Sequence, residues 1–395
     1  MMNERIQPLE IQKYVKLSQR NDVISFAAGL PDLSVMPLEQ LKEAYVQLLH
    51  ENSGSFQYQA PIEALKQKIQ KMMASQSVFC NLDEILITNG AQQAIYLTAN
   101  LFLKPKASLM IEEFVYPGFL QIANMFDLNY LPIPSLFNQG LDLNYLESLL
   151  KTNKPLPFLY VVCNGHNPLG ITLNTQIRKE LAVLAEKYNL IIVEDDPYGY
   201  LNFSDEQFLP MRAYTKNAIY IGSFSKTIAP AVRTGWIVAE KNIIQKLQQL
   251  KDMNDLYCSN TNHLALNTVL DKYPMDEITY PQKIHYKSKL ECMINALEEF
   301  IDIPCRYIKP KHGMFIWLEF LSNQFKLEHD RIFHKSNVLY IPESAFAVGK
   351  STGKQAIRLS FAYPTLDQII LGIKKLGDTI QKSAGKNFMM PCEII

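Results

Sequence analysis

The sequence predicts an α/β fold in which a mostly parallel sheet is sandwiched between helices. Short apolar runs alternate with helical patterns between residues 84 and 256. The runs lack the polar–apolar alternation that is typical of a sheet with one solvent-exposed face. Both faces of their sheet are therefore predicted to be buried. The runs lie at residues 85–87, 108–111, 158–162, 190–193, 218–221 and 235–239.

The segment 174–188 shows most clearly how helices connect these runs. Asn174 is a suitable N-cap, and apolar residues recur at helical spacing from Ile177 to Tyr188. The opposite face, which includes Arg178 and Lys187, is predicted to contact water. A strand, a helix and a second strand in this order form a βαβ unit. Ligands of such sheets bind at the carboxyl ends of the strands, so we expect the functional residues there.

Both ends of the chain are predicted to form a smaller α+β domain. Helical patterns there are mixed with shorter apolar runs at residues 313–318 and 356–360. We therefore predict a large α/β domain at 46–288 and a small domain built from 1–45 and 289–395.

The composition argues against several classes of protein. The 39 Lys and Arg residues balance 39 Asp and Glu residues, whereas a nucleic-acid partner would favour a basic excess. The six cysteines form no CxxC pair, so we expect neither a metal site nor a disulfide framework, and a cytoplasmic location. No apolar stretch is long enough for a membrane span, and polar residues interrupt the N-terminal segment, so no membrane partner and no secretory signal are expected.

A lysine motif follows the run that ends at Ile221. Lys226 could condense with an aldehyde, while Ser223 and Ser225 could donate hydrogen bonds to a phosphate. Arg233 adds a guanidinium whose planar fork suits the same phosphate. A single lysine is more often a solvated surface charge, and the motif alone leaves that alternative open.

An acidic turn follows the run at 190–193. Its Asp195 could pair with a ring nitrogen and keep it protonated, which makes a pyridine ring an electron sink. At ~3 Å and an effective dielectric near ~20, such a pair is worth about 5 kcal/mol before desolvation. An acidic turn that caps a helix is the alternative.

Two turns and one strand carry the other polar candidates. Gly90, Ala91 and Gln92 open a predicted helix, whose exposed N–H groups attract phosphate. Asn167, held between turn residues, could point its amide at a phenolic oxygen. Arg358 lies in an apolar run and needs an anion, such as a substrate carboxylate. In isolation, plain turn structure is the more usual explanation for the Gly90 turn and an equally good one for Asn167, and an internal salt bridge explains Arg358 equally well.

Together and in this order, the motifs resemble those of the fold-type I aminotransferases that use pyridoxal 5'-phosphate (PLP). The likeness is to the branch of the kynurenine and 2-aminoadipate aminotransferases and of the aminotransferase domains of MocR-type regulators. It extends from about residue 5 to residue 380. It rests on ISFAAGLPD at 24–32, GSFSKT at 222–227, GMFIW at 313–317 and RLSF at 358–361.

The resemblance implies catalytic roles for three residues, Lys226, Asp195 and Tyr198. Lys226 would hold PLP as a Schiff base and move a proton between substrate and cofactor, and Asp195 would pair with the pyridine nitrogen. Asn167 and Tyr198 would contact the ring hydroxyl. Tyr116 would stack on the ring, although a packed core tyrosine is the alternative.

The resemblance also implies the remaining binding residues. Those near the phosphate are Gly90, Ala91, Gln92, Ser223, Ser225 and Arg233. Those that bind substrate are Gly29, Asn167 and Arg358. Tyr58 would reach the phosphate of the neighbouring subunit, which implies a homodimer.

The expected activity is transfer of an amino group between an L-α-amino acid and a 2-oxo acid, by a ping-pong mechanism. A PLP-dependent decarboxylase or C–S lyase is the alternative, because the same Lys and Asp serve those reactions. A PLP-sensing regulator is less expected, since the charge is balanced and the signature begins near Ile24.

Overall fold

The computed structural model describes residues 11–51, 53–60, 62–152, 156–321, 327–349, 351–384 and 393–394. The helices in these ranges are α1 (Ile11–Leu17), α2 (Leu38–Glu51), α3 (Glu63–Ser75), α4 (Ala91–Phe102), α5 (Pro117–Ala123), α6 (Leu143–Thr152), α7 (Thr175–Tyr188), α8 (Lys241–Asp255), α9 (Asn260–Lys272), α10 (Met275–Phe300), α11 (His329–Ser336) and α12 (Leu366–Ala384). The strands are β1 (Ile24–Ser25), β2 (Ile85–Thr88), β3 (Ser108–Glu112), β4 (Asn129–Ile133), β5 (Ser135–Leu136), β6 (Gly140–Leu141), β7 (Leu159–Val161), β8 (Ile192–Asp196), β9 (Ala218–Ser223), β10 (Gly235–Val238), β11 (Cys305–Tyr307), β12 (Phe315–Phe320), β13 (Val338–Leu339), β14 (Ile341–Pro342), β15 (Gln355–Ser360) and β16 (Glu393–Ile394).

A seven-stranded sheet lies at the centre of the fold, in the order β2-β10-β9-β8-β7-β3-β4. Neighbouring strands from β9 to β4 pair in parallel, whereas β10 runs antiparallel to both β2 and β9. Every residue of β2, β7, β8, β9 and β10 is buried, which explains why their sequences do not alternate. The predicted α/β class with a mostly parallel sheet is confirmed.

The edge strand β4 is the member of this sheet that the sequence did not predict. Only Ile133 of its five residues is buried, and Pro132 interrupts it. A proline lacks the N–H that a central strand would need, so it is tolerated at an edge. The sequence pattern of β4 is therefore weaker than that of the buried strands, which include β2 at the opposite edge of the sheet.

Helix α7 begins as predicted, because the Asn174 side chain accepts a hydrogen bond from the Ile177 N–H at 2.9 Å. The helix ends at Tyr188, and its C-cap Asn189 adopts the left-handed conformation. The prediction that Arg178 contacts water is wrong. Its side chain is fully buried and donates to the carbonyl oxygens of Leu173 and Cys163 at 2.8 and 3.0 Å.

A second sheet of five strands has the order β14-β15-β12-β11-β16 and is built from the C-terminal part of the chain. From the N-terminal part, β1 pairs in parallel with β13, so the N-terminal and C-terminal parts of the chain are in contact. The predicted domain boundaries at 45/46 and 288/289 fall inside α2 and α10. The division into two domains stays a prediction.

Four cysteines, Cys80, Cys163, Cys258 and Cys292, have free thiols. Cys305, the first residue of β11, is disulfide-bonded instead, a bond that the expectation of no disulfide framework did not include. Across the described ranges, no helix is long and apolar enough to cross a membrane. The same ranges hold no group of three His, Cys, Asp or Glu side chains that could bind a metal ion.

Candidate active site

A cavity of about 330 Å³ lies at the carboxyl ends of the central parallel strands. Its floor is formed by the ends of β8 and β9, and its far wall by the segment 27–30 and by strands β12 and β15 of the second sheet. The predicted site residues that line it are Gly29, Ala91, Gln92, Tyr116, Asn167, Asp195, Tyr198, Ser223, Ser225, Lys226, Arg233 and Arg358. The fold thus brings together residues that are far apart in sequence.

Lys226 lies just after β9 and its amine is buried in the cavity. Its Nζ donates a hydrogen bond to the Gly29 carbonyl at 2.7 Å. Burial lowers the pKa of Lys226 to about 8, and repulsion by Arg358 and Arg233 adds to this effect, which Asp195 partly opposes. A buried amine with a lowered pKa is more nucleophilic at neutral pH than a surface lysine.

Asp195 is buried at the end of β8. Its Oδ2 accepts a hydrogen bond from the Tyr160 hydroxyl at 2.7 Å, while its Oδ1 has no hydrogen-bond partner among the described residues. Burial raises the pKa of Asp195 to about 7; Asp196 raises it further, and the Tyr160 hydrogen bond and Lys226 oppose the rise. A buried acceptor without a partner is costly, so this oxygen suits a ligand that offers a donor.

An anion cradle lies at the other end of the cavity, around the N-terminus of α4. The first helical residues there are Ala91 and Gln92, whose N–H groups lie at the positive end of the helix dipole. The Ser223 hydroxyl donates to Ser225 Oγ at 3.0 Å, and Arg233 supplies a guanidinium. Two hydroxyls, a cation and free amides together suit a phosphate monoester.

Gly90 lies behind this cradle rather than in the cavity wall. Its φ of 78° is in the region that favours glycine, and a Cβ there would stand 2.7 Å from Arg233 Nη2. Glycine at this position therefore leaves room for the guanidinium beside the helix start.

Tyr116 caps α5 and presents its ring to the cavity. Its hydroxyl donates to Gln92 Oε1 at 3.1 Å, and Gln92 Nε2 donates to the Gly118 carbonyl at 3.0 Å. Burial raises the pKa of Tyr116 to about 12, and the charge of Asp195 contributes to the rise. The phenol therefore stays neutral and its ring is held in one orientation.

Arg358 is buried on β15 and its guanidinium points into the cavity. It donates to Asn167 Oδ1 at 2.7 Å and to the Ala27 carbonyl. The Phe315 ring centroid lies 4.1 Å from the guanidinium carbon. The partners of Arg358 are an amide and a carbonyl, both neutral, so its positive charge is available to an anionic ligand.

Tyr58 is the predicted site residue that lies away from the cavity of its own chain. Its side chain is 77% exposed, and its ring centroid lies 6.5 Å from that of Tyr257. An exposed position of this kind leaves the Tyr58 side chain free to contact a second chain.

Tyr160, which lies behind the cavity and holds Asp195, was not predicted from the sequence, because it lies inside an apolar run. A phenol needs a hydrogen-bond partner when it is buried. Since its run directly precedes the strand that carries Asp195, a parallel pairing of the two strands was the signal that could have linked them.

Fold and cavity together define this chain as an α/β enzyme whose site lies between two sheets. Residues 21–376 match the profile of the family described as aminotransferase class I and II. The chain belongs to this family and is an enzyme of the transaminase class.

Several relatives support this assignment over nearly the whole chain. Aromatic-amino-acid aminotransferase 1 of Thermococcus litoralis is 33% identical, over 95% of this chain and 92% of its own length. A kynurenine aminotransferase of Pyrococcus horikoshii, solved with PMP, KYN and KYA, superposes with a TM-score of 0.90 at 30% identity and covers 97% of each chain. The α-aminoadipate aminotransferase LysN of Thermus thermophilus, complexed with N-(5'-phosphopyridoxyl)-L-leucine, has a TM-score of 0.87 at 28% identity and 96% coverage of each chain. The predicted fold and family are confirmed.

Proposed function

We propose that this enzyme is a PLP-dependent transaminase that holds its cofactor at Lys226. When bound, PLP supplies an aldehyde that reacts with amines and a protonated ring that accepts electrons. The observation that carries the proposal is the pairing, in one cavity, of a buried amine with a buried carboxylate oxygen that has no partner among the described residues. The amine matches the aldehyde, and the oxygen matches the ring N–H.

Each of the other cavity residues then has a task. The helix start at Ala91 and Gln92 would hold the phosphate, together with the side chains of Ser223, Ser225 and Arg233. Tyr116 would stack on the ring, while Asn167 and Tyr198 would contact its hydroxyl. Asp195 would hold the proton at the ring nitrogen, and Lys226 Nζ would carry the proton that leaves the substrate α-carbon.

The substrate is proposed to be an L-α-amino acid with an uncharged or aromatic side chain. Arg358 would bind its α-carboxylate in a forked contact beside Gly29. The cations among the described lining residues are Lys226, Arg233 and Arg358, and all three are occupied by these tasks. Apart from Tyr14, the remaining lining is apolar, and its members are Ala27, Ala28, Leu30, Ile95, Val162, Pro197, Pro230, Phe315 and Ile341.

A homodimer is proposed as the working unit. Tyr58 is 77% exposed, and the neighbouring apolar residues Phe56 and Leu256 are 65% and 51% exposed. Exposed apolar side chains around a tyrosine mark a surface suited to protein contacts. Tyr58 would reach the phosphate in the partner's cavity.

We also propose a cytoplasmic location. The free thiols of Cys80, Cys163, Cys258 and Cys292 support a reducing compartment, and the disulfide at Cys305 opposes it. Cell fractionation followed by thiol labelling tests this, and recovery of the chain outside the cytoplasm contradicts it.

The test of the main proposal is borohydride reduction of the holoenzyme followed by peptide mass spectrometry. The phosphopyridoxyl mass is expected on the peptide that carries Lys226 and is expected to disappear in Lys226→Ala. An adduct on another lysine, or unchanged trapping in the variant, overturns it.

A second experiment tests the type of reaction. Product formation must depend on a 2-oxo acid acceptor, because a decarboxylase or lyase would form product without one. Higher kcat/KM with phenylalanine than with glutamate is the expected substrate preference.

A further inference from the structure

We infer that Tyr160 is a positioning residue which, through Asp195, keeps the proton on the ring nitrogen of the bound cofactor. The inference rests on the proposed function, since it assumes that Asp195 faces that nitrogen. Tyr160 itself does not line the cavity, so it acts only through the carboxylate.

The geometry divides the two oxygens of Asp195 between two partners. Tyr160 lies on β7 opposite Val193 of β8, and its hydroxyl donates to Asp195 Oδ2 at 2.7 Å. Oδ1 is left without a partner in the described part of the chain. Because the phenol fixes one oxygen, the carboxylate cannot rotate without losing a buried hydrogen bond, and the other oxygen stays available to the ligand.

The Tyr160 ring is itself held rigidly. Phe119 stacks on it with ring centroids 3.9 Å apart and an interplanar angle of 5°, and both side chains are about 1% exposed. Phe119 belongs to α5, the same short helix whose N-cap is Tyr116. Helix α5 therefore positions the Tyr116 ring directly and, through Phe119, also positions the Tyr160 ring that holds Asp195.

The chemical consequence concerns the shared proton. A hydrogen bond to a carboxylate favours its charged form, and it lowers the pKa of Asp195 against the larger effect of burial. The other groups that act on this carboxylate are Asp196, which raises its pKa, and Lys226, which lowers it. Without the Tyr160 donor, Asp195 would be a stronger base and would draw the proton away from the ring nitrogen.

Tyr220 offers a matched control. It is a buried tyrosine on β9, and its hydroxyl donates to Asp196 Oδ2 at 3.2 Å. Asp196 neighbours Asp195 in sequence but does not line the cavity. Tyr220→Phe therefore removes the same hydroxyl from the same kind of partner without touching the carboxylate proposed to face the cofactor.

The test uses holoenzyme loaded with PLP labelled with ¹⁵N at the ring nitrogen, whose NMR shift reports directly whether that nitrogen is protonated. Tyr160→Phe is expected to move the resonance toward the unprotonated position and to lower kcat about tenfold, as the loss of a hydrogen bond to a charged group implies. Tyr220→Phe is expected to keep the wild-type resonance. A Tyr160→Phe resonance at the wild-type position, or an equal displacement in both variants, overturns the inference.

Two further measurements separate this inference from the proposed function. The proposed function itself is wrong if the wild-type protein fails to bind PLP. It is also wrong if Asp195→Asn leaves the ring-nitrogen resonance of the bound PLP unchanged. If Tyr160→Phe does not fold, replacement of Tyr160 with 3-fluorotyrosine keeps the ring and strengthens the donor. That replacement should move the resonance further toward the protonated position, and a displacement in the opposite direction contradicts the inference.

Discussion

Three consecutive carboxylates at the end of β8 show how neighbouring residues of one chemistry differ in what they can do. Glu194, Asp195 and Asp196 are all buried. Glu194 accepts from a backbone N–H and lies 3.7 Å from Arg178, and Asp196 accepts from Asn164 at 3.1 Å. Only Asp195 lines the cavity. Glu194 and Asp196 are bound by other groups of the protein itself. The acidic residue type therefore does not identify the functional carboxylate, whereas its position beside the cavity does.

The reactivity of Lys226 should depend on pH in a defined direction. Only the unprotonated amine is nucleophilic, so adduct formation between apoprotein and PLP should speed up with rising pH and level off above about 8. An ordinary lysine would continue to gain reactivity until about pH 10.4. Stopped-flow absorbance over this pH range measures the midpoint.

Arg358→Leu is the companion variant for that experiment. It removes a cation that repels protonated Lys226, so the pKa of Lys226 should rise and the midpoint should move to higher pH. If the rate of adduct formation in the wild type has its pH midpoint near that of a surface lysine, the buried environment does not lower the pKa of Lys226.

The residue types at the site could be predicted from the sequence, but their contacts could not. Lys226, Asp195 and Arg358 were predicted as candidates from their positions after or within apolar runs, and all three line one cavity. Tyr160 was missed because its hydrogen bond depends on which strands are neighbours. A hydrogen bond between residues 35 positions apart leaves no local pattern.

At the scale of elements, the start of α4 depends on a glycine. Gly90→Ala would place a methyl group 2.7 Å from Arg233 Nη2 and also strain the positive φ of 78°. We expect the dissociation constant for PLP to rise at least about tenfold, because the guanidinium must move away from the phosphate position. Fluorescence titration of the apoprotein measures it.

Gly353→Ala is the control for the backbone effect. Gly353 has a φ of 79° and no atom within 4 Å of the added Cβ, so it shares the strain without the collision. Its PLP affinity should match that of the wild type. Equal loss of affinity in both variants would rule out the steric explanation.

Helix α7 shows where a periodicity argument succeeds and where charge misleads it. Its buried residues are Arg178, Leu181, Ala182 and Ala185, at the i, i+3, i+4, i+7 spacing of one helix face. Arg178 was assigned to the solvent because of its charge, although its position belongs to the buried face. Whether an arginine on that face is buried depends on carbonyl acceptors supplied by other elements.

Replacement of Arg178 should destabilise the protein strongly. Its guanidinium donates to the Leu209 carbonyl at 2.9 Å and to Asn164 Oδ1 at 2.6 Å, and lies 3.7 Å from Glu194. Arg178→Met removes the donor from these buried acceptors and the buried cation from beside Glu194, so the free energy of unfolding should fall by about 3–5 kcal/mol. Urea unfolding followed by circular dichroism measures it, with the exposed Lys179→Met as control at about 0.5 kcal/mol or less. Similar losses in both variants would contradict the structural role of Arg178.

At the scale of the whole molecule, the class of fold followed from the sequence and the order of strands did not. The buried runs predicted a largely parallel sheet, but β10 is antiparallel and lies between β2 and β9. Its buried apolar residues are compatible with either direction. A smaller α+β domain was predicted from both chain ends, and the five-stranded sheet of the C-terminal part brings Phe315 and Arg358 to the cavity. Direction and order depend on long-range packing, which short motifs do not encode.

The proposed homodimer can be tested by combining an inactive chain with a weakened chain and measuring whether the hybrid dimer regains activity. Tyr58 lies outside the cavity of its own chain, so in a dimer it would complete the partner's site. Lys226→Ala alone should be inactive, and Tyr58→Ala alone should bind PLP about tenfold more weakly, because a buried phosphate contact is lost. In a hybrid dimer of the two chains, the Lys226 of one chain would meet the intact Tyr58 of the other, and one of the two sites would be wild type. Co-expression with two affinity tags, followed by assay at limiting PLP, should therefore give hybrids with about half the wild-type activity. Activity no higher than that of Tyr58→Ala would mean that Tyr58 serves its own chain or no site at all.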